Sequence, residues 1–303
     1  MRTLVLAFNL SSRNGANQEK NIQEILGQFG RNGIQIIHFE TRTIKEFHTK
    51  ILENLAQGHH EFIVCGGDGS LHALVNILGT NDALQTATVG LIPMGTGNDY
   101  IRNFQSKTRT KIIEDILVSK TCSVDIGRIR FRNSTYRYFI NVAGIGFNGA
   151  VIKDVNRFKF LGGLSYYVAL ISCFFKFKPQ EVIIKLDDAS YQMKTFIASF
   201  GIGKFAGNNM KLCPEAKLDD GFFDVNIVRP ITKLELITNL HKLRSGDYLR
   251  SLDCKTIKAT KIEIVRNAYL DAEADGEQYG REISSFEIVS KGLTVFGELD
   301  AFA

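Results

Sequence analysis

The sequence predicts two domains, an α/β unit built on a parallel sheet followed by an antiparallel, β-sandwich-like unit. Three observations carry this: a length of 303 residues against roughly 100–200 for one domain, alternating strand and helix periods over residues 1–95, and closely spaced strand-like runs from about residue 124. Composition is that of an ordinary globular chain, 44% hydrophobic and 23% charged, which excludes disorder, collagen and a coiled coil.

In chain order, apolar runs at 3–8, 34–39, 62–65 and 88–92 read as strands. Between them Ile22/Ile25/Leu26/Phe29, Ile44/Phe47/Ile51/Leu55 and Leu71/Leu74/Val75/Leu78 recur at the spacing of one helix face. Such alternation implies parallel pairing with helices on both faces, and ligands of these sheets sit beyond the carboxyl ends of the strands. The second unit offers runs at 124–131, 136–143, 181–187, 191–200, 222–228, 261–265 and 285–297, interrupted by helical stretches at 161–177 and 232–245. The expected boundaries are therefore 1–123 and 124–289, with 290–303 free to return to the first unit. No Pro- or Ser-rich linker, internal repeat or low-complexity segment interrupts this order.

Thirty-seven basic residues against 32 acidic ones give a net charge of +5, too mild to require a nucleic-acid partner. The distribution is uneven: residues 102–137 hold nine Lys/Arg and three acids, whereas 271–303 hold eight acids and two basic residues. One face is thus expected to seek an anionic surface. The five cysteines are odd in number, scattered and never in a C-x-x-C pair, which argues against a disulfide scaffold or a zinc site and for a reducing cytoplasm. The six histidines form no ligand spacing. The apolar start Thr3–Phe8 is too short for a signal-peptide core, and Leu161–Phe175, 15 residues without charge, is too short to span a bilayer. The longer stretch Phe158–Lys178 carries Phe160, Tyr166, Tyr167, Phe174, Phe175 and Phe177 between Lys159 and Lys176/Lys178. It suits an interfacial helix on lipid and, equally, a core helix of the second unit.

Chemistry concentrates in two glycine-rich turns. Gly66-Gly67-Asp68-Gly69-Ser70-Leu71-His72 follows a strand and opens a helix, where glycines admit close approach, Ser70 can cap the helix, and the free amides and dipole favour phosphate. A plain strand–helix turn is the alternative, and no Gly-Lys-Ser/Thr follows that would make a Walker A loop. Pro93-Met94-Gly95-Thr96-Gly97-Asn98-Asp99 leaves the next strand at the same sheet edge. Together the turns could cradle a polyphosphate, with Asp68 and Asp99 handling a metal or a proton. Gly144-Ile145-Gly146-Phe147-Asn148-Gly149 matches G-x-G-x-x-G, but no acid lies between Asp154 and Glu181, so it reads as a structural turn.

With Asn9…Gly15, the two turns resemble the nucleotide-site signatures of the diacylglycerol-kinase/sphingosine-kinase-type lipid kinase family, in its small soluble bacterial form. The resemblance continues through Val124-Asp125-Ile126-Gly127, Asn141…Gly146, Ala216-Lys217-Leu218-Asp219-Asp220-Gly221 and Asp275-Gly276-Glu277, nearly the whole chain in family order. The chain departs from the family pattern at Asn9-Leu10, His72-Ala73 and Ala206-Gly207-Asn208-Asn209.

The resemblance implies a nucleotide-binding first domain, a lipid-substrate second domain and an active site in the cleft between them. It assigns ATP contacts to Asn9, Ser11, Ser12, Arg13, Thr41, Gly66, Gly67, Asp68, Gly69, Ser70, His72, Gly95, Thr96, Asn98 and Asp99. It gives a structural Mg²⁺ to Asp220 with the backbone carbonyls of Lys217 and Phe222. Glu277 becomes the proton acceptor from the lipid hydroxyl, and Asp68, a catalytic residue with it, sits with Asp99 in the water and carboxylate network that links these groups to the nucleotide's own Mg²⁺. The implied activity is ATP-dependent phosphorylation of a lipid hydroxyl, foremost diacylglycerol to phosphatidic acid, by a cytoplasmic protein peripherally associated with a membrane and its anionic phospholipid; a homodimer is compatible with it. Two alternatives stand: a kinase of a soluble nucleotide of the NAD-kinase type, which shares the GGDG turn, and a catalytically silent nucleotide- or lipid-binding protein.

Overall fold

The computed structural model describes residues 2–10, 15–30, 33–95, 97–155, 158, 165–252, 254–267 and 271–300; Ser11, Ser12, Arg13, Thr96, Lys159 and Phe160 lie outside them. The chain divides into two compact units, Met1–Val124 with Lys291–Ala303, and Asp125–Ser290.

The first unit runs β1 (Thr3–Asn9), α1 (Gly15–Gly30), β2 (Gln35–Thr41), α2 (Ile44–Ala56), β3 (Glu61–Gly66), α3 (Asp68–Thr80), β4 (Thr88–Pro93) and α4 (Arg109–Leu117), and ends at the start of β5 (Thr121–Phe131). Its strands pair in parallel in the order β2-β1-β3-β4. The far side of β4 takes the end of the chain's last strand, Thr294 opposite Thr88 and Val295 opposite Val89. Leu4, Val5, Leu6 and Phe8 have no exposed surface. A strand covered on both faces needs an unbroken apolar run rather than an alternating one, and β1 supplies it. The parallel arrangement sends every strand's carboxyl end, and hence both glycine turns, to one edge.

The second unit holds β6 (Tyr136–Phe139), β7 (Val142–Gly146), α5 (Phe147–Val155), α6 (Ser165–Phe174), β8 (Gln180–Leu186), β9 (Ala189–Thr195), β10 (Ile197–Gly201), β11 (Phe205–Ala206), β12 (Met210–Lys211) and β13 (Phe223–Val228). It continues through α7 (Lys233–Asn239), α8 (Tyr248–Ser251), β14 (Lys255–Ala259), β15 (Lys261–Asn267), β16 (Ala272–Ala274), β17 (Glu277–Gly280) and the first part of β18 (Ile283–Phe296). One antiparallel sheet has the order β14-β13-β10-β7-β16-β17. A second joins β18, β15, β8 and β9, with β5 on β18 and β6 on β5. Phenylalanines from both sheets make the layer between them: Phe139 and Phe223 stack at 5.8 Å, and Phe200 and Phe286 meet at 4.9 Å. Gly127 of the VDIG segment is required here, because a Cβ would collide with the Phe139 ring.

Two expected runs, 136–143 and 191–200, are corrected, and a third, 285–297, is found as a strand whose pairing changes along its length. The run 136–143 breaks at Ile140-Asn141, where the amides of Ile140, Asn141 and Val142 donate to the Asp275 carboxylate at 2.9, 3.0 and 3.3 Å. The run 191–200 is two strands in two sheets, β9 on β8 and β10 between β7 and β13, parted at the buried Phe196. The run 285–297 is one long strand that turns from antiparallel pairing with β15 to parallel pairing with β4. The first half of the expected helix 232–245 is α7, and a 3-10 turn, Leu240–Leu243, follows it.

Candidate active site

In the first unit the two glycine turns interlock. A Cβ on Gly95 would sit 2.8 Å from the Gly67 Cα, and one on Gly67 would sit 3.3 Å from the Gly95 Cα, so backbone packs on backbone with no room for a side chain. The Met94 amide donates to the Gly66 carbonyl at 2.8 Å. Asp68 completes the lock: its Oδ2 accepts the Asp99 amide at 2.9 Å and its Oδ1 the Tyr100 amide at 3.0 Å. A carboxylate that holds two backbone amides of the neighbouring turn is a positioning group, and charge-assisted bonds of this kind are the strong ones. The second turn is braced by Asn98, in left-handed geometry (φ 51°), whose Nδ2 donates to the Gly95 carbonyl at 2.8 Å. Arg102 adds an Nη2 donation to the Gly97 carbonyl at 3.2 Å and an ion pair with the buried Asp99 at 3.6 Å.

The sequence expectation that Ser70 caps α3 is corrected. The helix begins at Asp68, Gly67 is its N-cap, and no side chain caps it. Ser70 Oγ instead accepts from Asn9 Nδ2 at 2.7 Å, in space that only a glycine at position 66 leaves open. The N-terminal end of α3 thus has no side-chain cap, and the one acid of its first turn, Asp68, faces the amides of Asp99 and Tyr100, an arrangement that suits an anion at the helix end. A pocket of about 120 Å³ lies alongside, lined by Asn9, Thr41, Arg42, Thr43, Gly69 and Ser70 among others. It gathers four residues expected from the sequence, Asn9, Thr41, Gly69 and Ser70, and adds two polar ones that were missed, Arg42 and Thr43. Arg42 and Thr43 were legible in principle, since they follow Thr41 at the carboxyl end of β2. His72 is buried, and its Nε2 lies 3.2 Å from Asn76 Nδ2 one helical turn on.

In the second unit Asp125, fully buried, organises the Asp219-Asp220-Gly221 turn. Its amide donates to the Leu218 carbonyl and its Oδ2 accepts the Gly221 amide, both at 2.6 Å, while Gly221 adopts φ 79°. Sequence reasoning noted Asp125 as part of a motif and missed this role. Asp220 Oδ1 accepts the Phe222 amide at 3.1 Å, and its Oδ2 takes Lys258 Nζ at 2.6 Å. Lys258 also reaches Asp224 at 3.2 Å, where burial pushes the carboxyl above its ordinary range against the pull of Lys258. For a Mg²⁺ ion, a carboxylate and backbone carbonyls are the hard oxygen donors required, and two carboxylates outnumber one ammonium. Asp220 can serve such an ion only once Lys258 releases its Oδ2. Among the described residues no cluster of three or more His, Cys, Asp or Glu suits a metal.

Asp275 and Gly276, at φ 50° and 82°, form the two-residue turn of the β16–β17 hairpin, as an Asp-Gly pair does best. The turn presents Glu277, exposed at the start of β17. Behind it Glu273 Oε2 accepts the Gly276 amide at 3.2 Å; burial pushes this carboxyl up to about 8, so at neutral pH it holds its proton. The same unit encloses a cavity of about 50 Å³ walled by Phe147, Leu170, Phe196, Leu236, Leu240 and Leu252, nearly all carbon. Among the described residues no helix is long and apolar enough to cross a membrane.

Two family models match the chain, the diacylglycerol kinase catalytic domain over residues 3–129 and the YegS C-terminal NAD kinase beta sandwich-like domain over residues 141–297. A diacylglycerol kinase of Staphylococcus saprophyticus is 26% identical over 281 residues, covering 92% of this chain and 90% of its own. A "probable lipid kinase YegS-like" of Xanthomonas oryzae pv. oryzae is 29% identical over 264 residues, 85% of each chain. Among solved structures, a diacylglycerol kinase from Bacillus anthracis shares the fold with a TM-score of 0.72 at 19% identity, covering 98% of this chain and 97% of that one. The second model alone matches 157 residues, more than half of the chain's 303. Together the two models match most of both units: the chain belongs to the diacylglycerol-kinase and YegS-like lipid kinase family, a kinase family that implies ATP as phosphate donor.

Proposed function

We propose that the protein transfers the γ-phosphoryl group of ATP to a lipid hydroxyl, with diacylglycerol as the acceptor and phosphatidic acid as the product. The observation that carries the reading is the uncapped N-terminus of α3, interlocked with the second glycine turn through Gly67, Gly95 and Asp68. Its amides and dipole suit the phosphates, while Asn9, Thr41 and Arg42 suit the nucleoside side of the same pocket. Glu277 takes the hydroxyl proton; the hydroxyl oxygen forms its bond to the γ-phosphorus as the β–γ bridging bond breaks, and ADP leaves with the electron pair. Phosphoryl transfer asks the protein mainly for alignment and charge neutralisation, and an exposed carboxylate on a rigid two-residue turn meets the remaining need for one proton acceptor. Asp220 with the carbonyls of Lys217 and Phe222 would hold Mg²⁺, which when bound supplies positive charge that fixes the turn around Asp220.

The relatives named diacylglycerol kinase and probable lipid kinase support a lipid acceptor over a soluble nucleotide. The protein would work from the cytoplasm at a membrane surface. A competition assay tests the reading: labelled ATP offered to diacylglycerol in mixed micelles and to NAD in the same reaction. Label in the lipid extract is expected, and label in NAD alone, from folded protein, overturns the lipid reading.

A further inference from the structure

We propose that Asn141 is a positioning residue for Glu277, tying the hairpin that presents this carboxylate to the segment 202–209. The inference rests on the reading of Glu277 as the proton acceptor. β7 lies between β10 and β16 in its sheet, and Asn141 directly precedes it, where β16 enters the Asp275-Gly276 turn and β10 leaves for β11. On the hairpin side the Asp275 carboxylate accepts the amides of Ile140, Asn141 and Val142, and the Asp275 amide donates back to the Val142 carbonyl at 2.9 Å. On the other side the Asn141 carbonyl accepts the amides of Ile202 and Gly203, both at 2.9 Å, and Asn141 Nδ2 donates to the Phe205 carbonyl. One residue thus holds the turn through its amide and the 202–205 stretch through its carbonyl and side chain.

The side-chain amide earns this place by its direction and not by the stability it adds. Asn141 is 6% exposed, and with Nδ2 on the Phe205 carbonyl its Oδ1 is buried without a hydrogen-bond partner among the described residues. Turning the amide over would set oxygen against oxygen at Phe205. A buried acceptor left unpaired costs at least as much as one hydrogen bond contributes, so leucine, with the same branched shape, would serve the fold as well. What leucine lacks is the donor that fixes the break at 140–141 against the next segment. That segment is itself strained: Gly207, Asn208 and Asn209 stand in succession at φ 63°, 70° and 71°, all left-handed, in the turn between β11 and β12. Consecutive left-handed residues persist only where the surroundings over-determine them, and such strain gathers at functional sites. Asn141 anchors the entry to this turn at Phe205, and the Asp275 contacts pass that constraint to the two-residue turn ahead of Glu277. An exposed carboxylate needs such bracing, because a shift of about 1 Å in a reacting group costs about 10²-fold in rate.

The test reads three quantities: kcat for transfer of label from γ-labelled ATP to diacylglycerol in mixed micelles, ATP affinity by calorimetry, and amide hydrogen exchange of the hairpin 272–280. Asn141→Leu should lower kcat about 10²-fold with ATP affinity and circular dichroism unchanged. Exchange of the hairpin should quicken at least about tenfold, while the β1–β3 sheet of the first unit exchanges as in wild type. In a Glu277→Gln background the same substitution should change kcat by less than about twofold, because the group it positions is gone. Asn141→Ala, which removes the amide without new bulk, is read in the same way and decides the matter if the leucine variant does not fold. Equal losses in the two backgrounds mark general damage and overturn the proposal. A defect confined to KM for ATP, or wild-type kcat with wild-type exchange, overturns it as well. Absence of turnover in wild type counts against the kinase reading alone, because the exchange measurement needs no catalysis.

Discussion

Replacing Glu273 by Gln should flatten the pH dependence of stability. In the folded protein Glu273 lies on β16, 5% exposed, with its Oε2 on the Gly276 amide, and burial, reinforced by the neighbouring Asp275 charge, pushes its carboxyl from 4.5 up to about 8. Between these values the native state holds a proton that the unfolded chain has released, so unfolding becomes easier as pH rises, by up to about 1.4 kcal/mol per pH unit. Integrated from pH 5 to pH 9, this single group removes about 4 kcal/mol. Gln keeps the carbonyl acceptor for Gly276 and cannot ionise. The difference between wild-type and Glu273→Gln unfolding free energies, measured by urea at pH 5, 7 and 9, cancels every other titrating group. It should grow in favour of the variant by about 4 kcal/mol across that range. Two parallel curves would show that Glu273 is solvated in the folded state and would refute the buried-proton argument. Activity at pH 7 should survive in the variant, because the hairpin that carries Glu277 retains its bond.

Gly95→Ala should lower ATP affinity at least tenfold in a titration calorimetry measurement, because its Cβ meets the Gly67 Cα at 2.8 Å and must part the two turns. Asp68→Ala should abolish turnover while circular dichroism stays unchanged, at a cost of about 1–3 kcal/mol in urea unfolding for the two amides left without their acceptor; Asp68→Asn, which keeps one carbonyl acceptor, should fall between. Lys258→Met should sharpen the rise in Tm on adding millimolar Mg²⁺, since the ammonium no longer competes for Asp220 Oδ2. Equal Mg²⁺ responses in wild type and Lys258→Met would count against an ion at that turn.

The parts of the fold that could be read in the sequence are those whose cause is local. The strands of the first unit are unbroken apolar runs because both faces are covered, and the glycine turns declare themselves because no other residue fits a backbone-on-backbone contact such as Gly67 on Gly95. What escaped was set at a distance. Ser70 was expected to cap its own helix, but its hydroxyl belongs to Asn9, 61 residues away. Asp125 organises the Asp220 turn across 96 residues, and Asp275 breaks a strand-like run 133–135 residues earlier by taking its amides. Strands β16 and β17, of three and four residues, are too short for a period to register, although the Asp-Gly turn between them is a strong hairpin signal. The switch of sheet at Phe196 leaves no mark because no Gly, Pro, Asn or Asp interrupts the run 191–200 on either side of it.

The most direct test of the central claim is a comparison of wild type and Glu277→Gln for transfer of label from γ-labelled ATP to diacylglycerol in mixed micelles, with ATP binding measured on the same preparations. The account predicts labelled phosphatidic acid from wild type and a kcat lower by about 10²–10⁴-fold in the variant, with ATP affinity unchanged. Label transferred to lipid at the wild-type rate by a folded Glu277→Gln protein, or a defect confined to KM, would contradict it.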